Sequence, residues 1–113
     1  MNKIQLRKKY KKELKRLIEI LKEKYQPLRI YLFGSLTWGG FTLDSDADLL
    51  VIKESKKNML ERMQEVNMIL ADREVPMDIL VYTPEEIAKR KKMGDPFILD
   101  ILKNGKLLYA QSK

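Results

Sequence analysis

The chain opens on a helical pattern of apolar positions. Tyr10, Leu14, Leu17 and Leu21 recur at three- and four-residue spacing, with Ile18 beside them, so the spacing predicts an amphipathic helix over residues 3–25 closed by Gln26-Pro27. The apolar run Leu28–Phe33 then reads as a strand ended by Gly34-Ser35, and residues 35–40 as a short turn or helical piece broken by Gly39-Gly40. A second strand, 48–53 (DLLVIK), is apolar on both faces after its first residue, the pattern of a central strand covered on both sides.

The period returns to helical over 56–71, where Met59, Met63, Val66 and Leu70 form a core-facing stripe and Ser55 is the expected cap. A third strand spans 75–82 (VPMDILVY), with Pro76 restricted to a strand start or an edge. Thr83-Pro84-Glu85-Glu86 has the cap, proline and capping glutamate of a helix start, and Asp95-Pro96 begins a short helix that Gly105 ends. A last strand falls at 106–110. Helices and strands mixed in this order predict one α/β (α+β) domain: a small mixed sheet flanked by helices. Its parts are a basic N-terminal helix (1–25), a core (28–82) and C-terminal helices with a short strand (83–113).

Composition narrows the chemistry. The 113 residues contain neither cysteine nor histidine, which excludes disulfides, thiolate nucleophiles, His-based triads and imidazole metal ligands. No apolar run approaches a membrane span and no signal-peptide core follows the basic start, so a cytoplasmic protein without membrane contact is expected. The net charge of +7 is confined to one segment. Residues 1–25 hold ten basic and three acidic groups, and the remaining 88 hold thirteen of each. The basic helix face is either a docking surface for an acidic partner or nucleic acid, or a solvated face.

The anomaly is the placement of carboxylates on apolar strands. Asp46 and Asp48 lie two apart at the start of the second strand, and period two puts them on one face. Asp78 stands inside the third strand between Met77 and Ile79. Buried carboxylates gathered on one sheet repel one another and need a compensating cation. Without His or Cys, Mg²⁺ or Mn²⁺ is the natural candidate. Each Asp also has an ordinary alternative, as a turn residue or as the partner of a Lys or Arg. Beside them, Gly34-Ser35 follows a strand and can offer backbone N–H groups and a hydroxyl to phosphate oxygens. Two divalent ions about 3.5–4 Å apart, a triphosphate cradle and no protein nucleophile together describe phosphoryl or nucleotidyl transfer.

Residues 33–51, F-G-S-L-T-W-G-G-F-T-L-D-S-D-A-D-L-L-V, resemble the Gly-Ser, ten residues, Asp-x-Asp signature of the DNA polymerase β nucleotidyltransferase superfamily. V-P-M-D-I-L-V supplies the third Asp in an apolar strand, and the short length and the ending I-L-K-N-G-K-L-L-Y resemble its minimal nucleotidyltransferases. The resemblance spans about residues 28–109. It implies that Gly34 and Ser35 hold the β- and γ-phosphates, that Asp46 and Asp48 bind two Mg²⁺ (or Mn²⁺), and that Asp78 binds the ion nearest the nucleophile and helps take its proton. All three Asp residues are thereby expected to be catalytic. One departure stands out: Leu36, Thr37 and Trp38 occupy a stretch where relatives often carry two arginines. Trp38 can stack on a base or acceptor, or pack into the core.

Many minimal members resemble antitoxins encoded beside a HEPN-type ribonuclease toxin, which transfer AMP from ATP to a toxin tyrosine. The resemblance therefore implies an ATP-dependent protein adenylyltransferase acting as an antitoxin. Two alternatives are a binding module that neutralises its partner by stoichiometric contact, and nucleotidylation of a small molecule. Homo-oligomerisation is open, and nucleic-acid binding by the basic helix ranks below the other readings.

Overall fold

The computed structural model describes residues 3–34 and 47–112. The elements follow the expected order: α1 (Lys3–Lys24), β1 (Arg29–Phe33), β2 (Ala47–Ile52), α2 (Met59–Ile69), β3 (Met77–Tyr82), α3 (Pro84–Met93), α4 (Pro96–Asn104) and β4 (Lys106–Ala110). They build an α/β fold around one mixed four-stranded sheet of order β3-β2-β1-β4. β1 pairs antiparallel with β2 and with β4, while β2 and β3 run parallel. β2 is an inner strand, as its two-sided apolar pattern requires, and Leu49, Leu50, Val51 and Ile52 are all buried. Pro76 directly precedes β3, which is an edge strand, so its missing N–H breaks no ladder.

Alternation along the strands divides the core in two. Ile30, Leu32, Leu49, Val51, Met77, Ile79 and Val81 pack on one face with the apolar stripes of α1 and α2. Tyr31, Leu50, Ile52 and Tyr82 pack on the other face with Ile87 of α3 and with Ile98 and Ile101 of α4. The methionine stripe is core-facing but lies at the margin of it: Val66 and Leu70 are buried, whereas Met59 and Met63 are half-buried.

Helix ends follow local chemistry. Thr83 and Glu86 form a complete capping box, and Asp95 caps α4 by accepting from the Phe97 N–H at 3.0 Å. The start of α2 differs from the sequence reading. Its cap is Asn58, which accepts from the Glu61 N–H at 2.9 Å while Glu61 reaches back to the Asn58 N–H. Ser55 instead accepts from the Lys57 N–H in a small turn. The Asn58–Glu61 pair satisfies two orphan donors together, which Ser55 and its followers cannot do.

Two buried charges lock the layers. Glu13, 5% exposed, accepts from Nε and Nη2 of Arg16, at 2.7 and 2.8 Å, and from the Glu74 N–H at 2.6 Å. Arg16 also reaches Asp72, so α1 is tied to the segment leading into β3. The Arg16 hydrogen bonds outweigh burial, and with the Glu74 N–H they hold the Glu13 carboxyl at about 2, below its ordinary 4.5. A depressed folded-state pKa gives stability that is complete above about pH 4.5 and disappears as pH falls through 2. Urea midpoints measured from pH 5 to pH 2 should therefore fall more steeply for the wild type than for Glu13→Gln. Parallel curves would remove Glu13 from the acid response.

Arg62, 2% exposed, is the second lock. It donates to the Val81 carbonyl at 3.1 Å, the Lys57 carbonyl at 2.7 Å and the Glu86 carboxylate at 2.5 Å. One guanidinium thus joins the start of α2, the end of β3 and the start of α3.

Candidate functional site

Topology brings the candidate residues to one end of the sheet. β1 ends at Phe33, and the antiparallel return places Phe33 opposite Asp48 near the start of β2. β3 runs parallel to β2 in a register that pairs Asp48 with Asp78. Adjacent strands lie about 4.8 Å apart, and laterally registered side chains share a face. Asp48 and Asp78 are therefore neighbours on the face that carries Leu50, Ile52, Leu80 and Tyr82.

Gly34 closes the third side. Its φ of 87° lies in the left-handed region, and a Cβ built there would run into the Asp48 carboxylate, with Cγ at 3.2 Å and Oδ2 closer still. Glycine is required both by the backbone conformation and by this approach. Gly34→Ala is expected to lower any nucleotidyl-transfer activity by about 100-fold, the scale of a displacement of roughly 1 Å at a reacting centre. The check is steady-state kinetics beside a circular-dichroism melt, and activity within threefold of wild type would contradict it.

One expectation requires correction. The sequence reading buries all three aspartates on strands, yet Asp78 is exposed and Asp48 is half-buried. The reason is position. Asp78 is the second residue of an edge strand, at the end opposite that from which α3 departs, so no apolar layer covers it. Asp78 therefore pays no burial cost, and what joins it to Asp48 is their lateral register. Asp46 and Ser35 lie outside the described residues, as do Leu36, Thr37, Trp38 and Gly39.

The donor set suits a hard cation: carboxylate oxygens from Asp48 and Asp78, next to a backbone that carries no side chain at Gly34. Among the described residues no group of three acidic, His or Cys side chains converges. Beside Asp48 the wall is aromatic. Phe33, its partner across the ladder, meets Phe97 of α4 edge-to-face at 5.7 Å.

Sequence reasoning missed Glu13 and Arg62, which hold the elements around the site. A signal was present. Glu13 stands three after Tyr10 and four before Leu17, and Arg62 stands three after Met59 and four before Val66, so both fall on apolar stripes.

A small mixed sheet with helices on both faces thus carries two carboxylates on neighbouring strands at one end. The chain belongs to the nucleotidyltransferase domain family, whose profile matches residues 14–109. A crystal structure of a candidate nucleotidyltransferase from Sulfolobus solfataricus superimposes with a TM-score of 0.69 at 21% identity, over 97% of this chain and 88% of that one. At that identity the likeness bears on the fold. A search of curated proteins found no match. Among the described residues no helix is long and apolar enough to cross a membrane.

Proposed function

We propose that the protein transfers a nucleoside monophosphate, AMP from ATP, onto a hydroxyl acceptor with Asp46, Asp48 and Asp78 as the ligands of Mg²⁺ or Mn²⁺. The observation that carries this reading is the lateral register of Asp48 with Asp78 beside Gly34, in a chain of the nucleotidyltransferase family. The bound cations would neutralise the triphosphate and acidify the acceptor hydroxyl. In the transfer, the acceptor oxygen bonds to the α-phosphorus, the bond from that phosphorus to the β-phosphate oxygen breaks, and pyrophosphate leaves with the electron pair. The acceptor proton passes to Asp78 or to water. Gly34 and Ser35 hold the β- and γ-phosphates.

The acceptor in this proposal is a tyrosine of a HEPN-type toxin, and the protein acts as its antitoxin. Incubation with ATP, Mg²⁺ and a HEPN-type protein encoded by the neighbouring gene should add the mass of AMP to one tyrosine of that protein. Asp46→Ala, Asp48→Ala and Asp78→Ala should each abolish the adduct. No adduct with folded, nucleotide-binding protein would overturn the assignment of the acceptor.

A second reading is stoichiometric neutralisation of the partner. It is favoured by the exposed apolar side chains Met93 on α3 and Phe97 and Leu99 on α4. Full neutralisation by Asp48→Ala would decide for it.

A further inference from the structure

We infer that the outward face of the first two-thirds of α1 binds the phosphate backbone of a nucleic acid, independently of the carboxylate site. Arg7, Lys8, Lys11, Lys12 and Lys15 are all exposed, and among the described residues none of them forms an ion pair. Arg7, Lys11 and Lys15 make one row at four-residue spacing, and Lys8 and Lys12 make the row beside it. A rise of 1.5 Å per residue spaces the cations of a row by about 6 Å.

A merely solvated face does not account for the arrangement. Like charges four apart destabilise a helix, and here they recur as Arg7–Lys11, Lys8–Lys12 and Lys11–Lys15. The first turn contains no acidic residue to match the positive end of the helix dipole. The same helix shows the usual remedy further along, where Glu13 pairs with Arg16 and Glu19 with Lys22. The front segment therefore concentrates cations at a cost in helix stability that an anionic ligand would offset.

The residue types favour nucleic acid over an acidic protein. Lysine is depleted in the centres of protein–protein interfaces, where aromatic residues and arginine are enriched. The two rows hold four lysines, one arginine and no aromatic. Lysines acting as point charges suit a polyphosphate chain read without sequence preference.

The test is fluorescence anisotropy with a labelled 20-nucleotide single-stranded RNA between 50 and 200 mM salt. Five phosphate contacts should give a roughly 100-fold fall in affinity over that range. Lys8→Gln, Lys11→Gln and Lys12→Gln combined should bind at least about 10-fold more weakly at 50 mM, with the salt slope reduced by about 2. Glutamine keeps near-lysine helix propensity, and circular dichroism confirms that α1 is retained. Asp48→Asn should bind as the wild type does, which separates this surface from the carboxylate site. No binding at 50 mM, an unaltered triple variant, or competition by poly-glutamate equal to that of RNA per charge would each overturn the inference, the last in favour of an acidic protein.

Discussion

Asp48→Asn is expected to leave the fold intact while lowering nucleotidyl transfer by about a thousandfold. Several kcal/mol of charge stabilisation are lost when a metal-binding carboxylate becomes an amide, and about 1.4 kcal/mol corresponds to each tenfold in rate. The stability side of the same experiment is diagnostic. Asp48 stands beside Asp78 in the parallel register at the open end of the sheet. Asparagine matches aspartate in size, so the metal-free melting temperature should change by no more than a few degrees. Wild type should gain stability on adding Mg²⁺ and ATP, and Asp48→Asn should gain little, because a ligand stabilises only the state that binds it. A variant that melts well below metal-free wild type would mark Asp48 as a structural residue and sink the catalytic assignment.

Arg62→Ala should produce the largest loss of stability. The guanidinium is 2% exposed and serves acceptors on three elements. Truncation leaves the Val81 and Lys57 carbonyls without their donor and opens a cavity at the junction of α2, β3 and α3. Glu86 fares better, since its side chain is 41% exposed and still accepts from the Thr83 N–H. The dominant cost is therefore the orphaned carbonyls and the void rather than a stranded charge. About 3 kcal/mol is expected. For a domain near this size that lowers the melting temperature by about 12 °C or more. Arg62→Lys should recover less than half, because one ammonium cannot reach three acceptors set in a fork. A loss below about 1 kcal/mol would show that water replaces the guanidinium.

The order of elements was legible because each carries its own period: helical stripes in α1 and α2, two-sided apolar runs in β1 and β2, and proline-marked starts in α3 and α4. The juxtaposition of Asp48 and Asp78 was not contained in either strand alone. It depends on β2 and β3 being parallel neighbours in one register, which is a tertiary fact. Exposure at Asp78 was hidden for the same reason, since an apolar run does not reveal that its strand is an edge. Glu13 and Arg62 were overlooked because Glu and Arg are ordinarily surface residues. Only their coincidence with apolar stripes marked them, and their partners lie far away in sequence, at Glu74 and Val81. The Asn58 cap was readable as Asn-x-x-Glu, but Ser55 competed with it three residues earlier.

The antiparallel return of β1 into β2 has a consequence for how such a chain can diversify. The sheet fixes Gly34 and Ala47 near one another whatever connects them, since Phe33 and Asp48 are already paired. The entropy of closing that connection grows only logarithmically with its length, by about 0.6 kcal/mol per doubling. Residues can thus be inserted or deleted between Ser35 and Asp46 with little penalty to the scaffold, provided those two are kept, while the sheet carrying Asp48 and Asp78 stays fixed.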